Sequence, residues 1–296
     1  MNDQDWLAER FEEHRTHLRA VAYRMLGSLS EADDAVQEAW LRASRADTNQ
    51  VNDLGAWLTT IVARICLNAL PSRAARREEP MDARLPDPIV SASDTIDPAD
   101  EALIADSVGL AMLIVLDSLA PAERLAFVLH DIFDVPFEQI GPIIDRSEPA
   151  TRQLASRARR RLRTTATSDT DLAAQWELVD AFLAAAREGD FDALLRVLDP
   201  DVVRRVDAGA TGPDVPRILR GARALASQAI GFASLSYVAR RALVNGAPGV
   251  VTFADGEPYT VVGFTIAHGK ITEMNILADP ARLRQLDLTV LERGRT

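Results

Sequence analysis

The sequence predicts a multidomain chain: two all-α modules, the second carrying a helix-turn-helix, then an α+β cone built on a curved sheet. Three observations predict it. Apolar residues recur at helical spacing over residues 5–70 and again over 101–165. Within Phe137 to Arg163, a short helix, the joint Asp145-Arg146-Ser147 and an Arg-rich helix follow in helix-turn-helix order. After residue 171 two helices give way to runs of strand character separated by turn signals. Helices followed by an antiparallel sheet make an α+β unit.

Composition bounds the reading. A chain of 296 residues accommodates two or three domains. No apolar run approaches the ~20 residues of a membrane span. No N-terminal stretch has the basic-then-apolar layout of a leader, so a cytoplasmic protein without membrane partners is expected. Cys66 is the only cysteine, which excludes an internal disulfide and a Cys-rich metal site; no metal and no cofactor is expected. A net charge of −11 argues against a surface uniformly adapted to nucleic acid. Arg73 to Arg77 and Arg152 to Arg163 are nevertheless local basic patches able to grip phosphates. Acid gathers at both ends, in residues 71–100 and over Glu31 to Glu38, where it would suit a basic protein partner.

From the N-terminus, Phe11, Leu18, Val21, Ala22, Met25 and Leu26 keep helical spacing, and Gly27 ends that helix. Ser30 is expected to cap the next helix, Glu31 to Arg45, with Asp33 completing an approximate capping box. Ala32, Ala35, Val36, Ala39 and Trp40 turn inward there; Asp34, Gln37, Glu38 and Arg42 stay outside. A polar loop precedes a helix from Leu54 to Leu70, which Pro71 is expected to stop. Residues 71–100 read as a linker, because Pro71, Pro80, Pro86, Pro88 and Pro98 break both periodicities. The second module opens with a helix over Leu103 to Leu116, and Pro121 starts the next, with Leu125, Phe127, Val128 and Leu129 inward. In the helix-turn-helix, Phe137, Ile140 and Ile144 form the buried side of the first helix, which Pro142 interrupts. Asp145 stands where Gly is common, and Asp tolerates a left-handed backbone. Ser147 suits the N-cap of the second helix. There Thr151, Leu154, Ala155, Ala158 and Leu162 make a thin apolar stripe beside six arginines. Such a helix is often only a solvated face; behind a short turn it also fits the major groove.

Two stretches bring a family into view. Asp34-Ala35-Val36-Gln37-Glu38-Ala39-Trp40-Leu41-Arg42 resembles the hallmark of conserved region two in bacterial sigma factors. Val135 to Arg163, including Arg152-Gln153-Leu154-Ala155-Ser156-Arg157-Ala158-Arg159, resembles sigma domain four. In this order they resemble the sigma-70 family of the extracytoplasmic-function type, over about residues 5–165. The resemblance implies sigma domain two at 1–70, a linker at 71–100 and sigma domain four at 101–165, with core RNA polymerase and promoter DNA as partners. Asp34, Gln37, Glu38 and Arg42 would meet the polymerase. Opening the −10 element requires platforms for unstacked bases and cations along the strand. Asn49, Gln50, Asn52, Trp57, Arg64, Asn68, Arg73, Arg76 and Arg77 are the candidates, although Trp57 has the commoner reading of a core tryptophan. Glu148, Arg152, Gln153, Ser156, Arg157 and Arg160 would contact the −35 element, with Arg159, Arg160 and Arg163 on phosphates.

Residues 171–296 carry helices at Leu172 to Ala186 and Phe191 to Leu198. Strands are expected at Val202–Val206, Tyr237–Val244, Gly249–Phe253, Tyr259–Ile266 and Lys270–Ile276, with Asn245-Gly246 and His268-Gly269 as hairpin turns. The unit resembles the polyketide-cyclase-like branch of the nuclear-transport-factor-two-like fold, a cone around an apolar pocket that could take a small-molecule ligand. Arg84-Leu85-Pro86-Asp87-Pro88, Asp207-Ala208-Gly209-Ala210 and Asp279-Pro280-Ala281-Arg282-Leu283 are degraded forms of the marks of sigma factors with such a domain. That resemblance implies a regulatory role for Leu85, Pro86, Asp87, Pro88, Asp207, Asp279, Pro280 and Leu283, with no separate anti-sigma protein required. Asp207, Tyr259, His268 and Asp255 are the residue types an isomerase or hydrolase would use, yet no acid–base pair stands out, so no catalytic residue is assigned. A DNA-tethered sensor or enzyme, or an operator-binding regulator that never joins polymerase, is the alternative reading.

Overall fold

The computed structural model describes residues 3–48, 51–76, 84–92, 109–162, 171–210, 215–233 and 237–291. The chain forms two compact units. Met1–Glu78, Pro98–Asp106 and Leu113–Thr164 make the first; Glu79–Asp97, Ser107–Met112 and Thr165–Thr296 make the second.

In the first unit, α1 (Asp3–Leu26), α2 (Leu29–Ala43) and α3 (Leu54–Arg76) pack on one another. The periodic positions of α1 are buried, and Phe11 meets the half-buried Trp40 at 5.2 Å between ring centroids. Two boundaries differ from expectation. Gly27 at φ +67° donates its N–H to the Tyr23 carbonyl and reverses the chain so tightly that Ser28, not Ser30, is the N-cap of α2. Asp33 forms no capping box and instead meets Arg19 of α1 at 2.6 Å. Pro71 does not stop α3, which runs on to Arg76. A proline removes one N–H from the ladder, and the Ala- and Arg-rich residues after it are good helix formers that carry the helix through.

The second helical module continues with α4 (Leu110–Asp117), α5 (Pro121–Phe127), a π-type turn (Val128–Ile132), α6 (Phe137–Ile140), a 3₁₀ turn (Gly141–Ile143) and α7 (Glu148–Leu162). Pro142 is accommodated because the first helix of the pair tightens to 3₁₀ at that point. Asp145 takes φ +53°, as its side chain permits. Gly141 is required by close approach: a Cβ there would lie 2.7 Å from the Arg146 carbonyl oxygen. The two helical modules share a polar seam. Phe133 stands edge-on to His17 at 5.1 Å and beneath the Arg24 guanidinium at 5.1 Å. Arg124, 1% exposed, donates to the Arg24 carbonyl (3.0 Å) and pairs with Asp117 (3.0 Å).

The second unit opens with α8 (Leu172–Glu188) and α9 (Phe191–Val197), capped by the side chains of Asp171 and Asp190. A seven-stranded sheet follows in the order β1-β4-β5-β6-β7-β2-β3. Its strands are β1 (Val90–Ala92), β2 (Leu198–Asp207), β3 (Ile218–Arg220), β4 (Val238–Val244), β5 (Ala247–Ala254), β6 (Glu257–Ala267) and β7 (Lys270–Leu277). The Asn-Gly and His-Gly turns hold: Asn245, Gly246, His268 and Gly269 all have positive φ, as two-residue hairpins require. The sheet is mixed rather than wholly antiparallel, because β2 and β7 pair in parallel. Three elements escaped the sequence reading: β3, the helix α10 (Ala222–Ala233) and β1, which lies within the supposed linker and pairs Val90 with Val244. β1 is too short to show alternation, and its partner is 154 residues away. Trp176, Val179, Phe182 and Leu194 from the helices meet Val250, Phe264, Ile266 and Met274 of the sheet in one core. The chain closes with α11 (Pro280–Leu283) and a 3₁₀ turn at Thr289–Leu291. Among the described residues no helix is long and apolar enough to cross a membrane.

Burial, with His14 and Arg24 as positive neighbours, lowers the pKa of His17 below its ordinary 6.5. The unfolded chain therefore takes up this proton first as pH falls, and the stability of the first unit drops from about pH 6.5 down to the folded pKa, with no contribution above that window. His17→Gln, which retains a side-chain amide for Thr59 (3.3 Å from His17 Nε2), is expected to flatten this fall. Urea unfolding of both proteins at about pH 7 and about pH 5.5 reads it.

Candidate functional site

Three helical surfaces carry the polymerase and DNA candidates, and a buried cluster in the second unit carries the regulatory ones. On α2, burial of Ala32, Ala35, Val36, Ala39 and Ala43 turns Asp34, Gln37, Glu38 and Arg42 outward together, with Arg42 paired to Glu38 one turn before it. Leu41 stands among them and is 46% exposed. At 100° per residue it falls at the centre of that face, between Gln37 and Glu38. An uncovered leucine amid charges is a residue the sequence reading missed; its signal was an apolar side chain off the buried stripe.

On α7, Thr151, Ala155 and Ala158 are buried, and Arg152, Gln153, Ser156, Arg157 and Arg160 are exposed on the face opposite. Glu148 pairs with Arg152, which also lies over the Phe137 ring at 5.3 Å. The flanking arginines differ. Arg159 pairs with Asp131, and Arg161 lies 3.5 Å from a Glu123 carboxylate oxygen, so Arg159 is engaged within the unit rather than held free for phosphate. Arg157 reaches the same Glu123 only at 3.9 Å. Arg163 lies outside the described residues.

On α3, Asp53 accepts from Ala56 N–H (2.9 Å) and caps the helix. Asn52, Arg64 and Asn68 are exposed, and Trp57 is half-buried, neither sealed in the core nor fully open. Thr60, Arg64 and Asn68 share one face, and Arg64 donates to the Pro142 carbonyl of the helix-turn-helix at 3.5 Å. Asn49, Gln50 and Arg77 lie outside the described residues, and of Arg73 and Arg76 only the helical backbone is described. Cys66 is wholly buried, and burial pushes its thiol up to about 12, which removes thiolate chemistry at neutral pH.

The regulatory candidates come together within the second unit. Asp207, at the end of β2 and 2% exposed, accepts from Leu85 N–H (2.9 Å) and forms a short ion pair with Arg282 of α11. Arg282 also donates to the Leu85 carbonyl (2.8 Å) and pairs with Asp87. Asp279 caps α11 through Ala281 N–H (2.8 Å), and Pro280 fills the first helical position. Gly209, at φ +59°, makes room for it: a Cβ would lie 2.5 Å from Asp279 Cγ. Leu85, Pro86, Pro88 and Leu283 are buried around this clasp. Ile89 and Asn245 then exchange two hydrogen bonds that lead into β1. Arg282 was not singled out by the sequence, although it is the one cation of its motif.

The four residues weighed for catalysis are not assembled. Asp207 is held in the clasp, and Tyr259 stacks on Tyr237 at 4.7 Å. Asp255 and His268 sit at positive φ in hairpin turns at opposite ends of β6, roughly 30 Å or more apart along an eleven-residue strand.

The helical part of the chain is of the sigma-70 class of transcription initiation factors. Residues 10–76 match the family model for Sigma-70 region 2, and residues 111–162 match that for Sigma-70, region 4. The chain is 36% identical over 294 residues to the probable ECF RNA polymerase sigma factor SigI of Mycobacterium tuberculosis, covering 97% of this chain and 98% of that one. It is 37% identical over 286 residues to the ECF RNA polymerase sigma factor SigJ of the same species, covering 91% of each. The crystal structure of that SigJ superposes with a TM-score of 0.76 at 34% identity over 95% of this chain and 99% of the other. The chain belongs to the extracytoplasmic-function RNA polymerase sigma factors.

Removing one member of a buried ion pair costs about 3–5 kcal/mol, because the other charge is left without compensation. Arg282→Met is therefore expected to release residues 84–92, seen as loss of amide-exchange protection in that segment while β5 and β6 remain protected.

Proposed function

We propose that the chain binds core RNA polymerase through α2, reads the −35 element with α7, opens the −10 element with α3 and its preceding loop, and is governed by its own C-terminal unit. The observation that carries this reading is a pair of separately exposed helical faces, one acidic and centred on a leucine, one basic, in a chain of the sigma family. The acidic face suits a basic-polar helical partner, and Leu41 supplies the apolar centre that anchors such interfaces. Arg152 and Arg157 are assigned to base edges and Arg160 to phosphate, with Gln153, Ser156 and Glu148 beside them. Asn52, Trp57, Arg64 and Asn68 are assigned to the separated strand, which requires Arg64 to leave the Pro142 carbonyl. Arg64 is exposed and held only at 3.5 Å, so little opposes that release.

Regulation is assigned to the clasp. Residues 84–92 lie in the chain between the two DNA-binding modules, and Asp207 and Arg282 hold them to the C-terminal sheet. A factor restrained in this way requires no separate anti-sigma protein, and its place of action is where polymerase is, in the cytoplasm. We assign no turnover to this unit, since the residues an enzyme would use are dispersed. The reading as a DNA-tethered enzyme or operator-binding regulator leaves the α2 face without a purpose.

In vitro transcription with core polymerase freed of its own sigma factors tests the whole reading; initiation at no promoter refutes it. Leu41→Ser is expected to weaken polymerase binding by about 1–3 kcal/mol with unchanged thermal stability. Arg152→Ala is expected to cost about 1–3 kcal/mol and relax specificity at one position, whereas Arg160→Ala weakens all sequences alike and lowers the salt slope by about one. Fluorescence anisotropy with −35 duplexes of varied sequence separates the two.

A further inference from the structure

The second unit encloses a cavity of about 400 Å³ between its sheet and helices α8 and α10. Most of its lining is apolar, with Phe182, Phe232, Met274 and Ile276 among the walls. Arg204 of β2 is the exception. It is 4% exposed, yet its partners among the described residues are neutral: Nη1 donates to the Gln228 side-chain oxygen and Nη2 to the Pro216 carbonyl, both at 2.5 Å, while Nε finds no acceptor among the described residues. Among the described residues no carboxylate lines this cavity, and the other cation there, Arg187, is exposed to solvent. A guanidinium taken from water without a counter-ion costs several kcal/mol, which neutral acceptors offset only in part. Burial alone lowers its pKa. On the wall, Tyr237 stacks flat against Tyr259 at 4.7 Å and 16°, with Phe232 beyond it at 6.3 Å and 26°.

We propose that this cavity binds a flat, apolar monocarboxylic acid as its anion, with Arg204 as counter-ion and the Phe232–Tyr237 wall as the surface on which its rings lie. One buried guanidinium matches one negative charge. A phosphate dianion would need a second buried cation, and Arg187 stands in solvent; a cation would be repelled, and a neutral ligand would leave Arg204 without a counter-ion among the described residues. The assignment deepens the reading of the C-terminal unit as the regulatory part of the protein, and names the ligand class that part would sense.

Calorimetric titration of the full chain at about pH 7 tests it, with benzoate, naphthoate and anthracene carboxylate as probes, each beside its matched aryl methanol. At least one acid is expected to bind about tenfold or more tightly than its alcohol, and Arg204→Met to bring that ratio to about one. Arg204→Lys, which keeps the charge, is expected to retain part of the preference, and it replaces the Met variant should that fail to fold. No acid binding more than about twofold tighter than its alcohol, or a preference undiminished in Arg204→Met, overturns the proposal. Polymerase is absent from the titration, so this failure stands apart from a failure of the clasp or of promoter recognition, both of which are read by transcription.

Discussion

A carboxylate as deeply buried as Asp207 exists in a fold only where cations and N–H groups surround it. Here one guanidinium supplies most of what it needs, and the same guanidinium reaches the Leu85 carbonyl and Asp87. Three segments far apart in sequence therefore share one charge network: residues 85–87, the end of β2 and α11. Loss of Arg282 leaves two carboxylates without their shared cation, so the network depends on that one guanidinium. Its release would also strip β1 from β4 and leave a strand edge unpaired, a second cost that favours the closed state. A segment held in this way is ordered by tertiary chemistry, not by its own propensity.

That distinction explains what could be read from the sequence. The helices of the first unit, the helix-turn-helix and the β5-β6-β7 meander each carry their own period, cap or turn, so local chemistry announces them. Asp145 and the Asn-Gly and His-Gly pairs all adopt the left-handed backbone that their residue types allow. What stayed hidden depends on partners distant in the chain. β1 has no period of its own, β3 is three residues long, and the parallel pairing of β2 with β7 follows from closure of the sheet. The end of α3 was misplaced because a proline weakens a helix without always ending it.

The candidate sites divide along the same line. Exposure on α2 and α7 follows directly from the buried stripe, and all residues assigned to those faces except the half-buried Glu148 are exposed. Which arginines are free could not be read from spacing. Arg159 and Arg160 are neighbours in sequence, yet one is tied to Asp131 and the other projects from the open face, because an α-helix turns 100° between them. Arg64 has the right position for a strand contact but rests on Pro142, a fact of packing between modules.

Buried arginines recur through the structure, and their partners separate their roles. Arg124 has Asp117 and the Arg24 carbonyl, and Arg282 has two aspartates; each is matched by acid and belongs to the architecture. Arg204 is comparably sealed from water, yet it touches an amide and a carbonyl on the rim of a cavity free of carboxylates among the described residues. A fold that needed Arg204 only to tie α10 to the segment at Pro216 could have used a neutral donor without the desolvation cost. A positive charge kept where nothing in the described lining neutralises it is chemistry for a ligand. Because β2 carries Arg204 in the cavity wall and ends three residues later at Asp207, a single strand bears both the ligand's counter-ion and the anchor of the clasp.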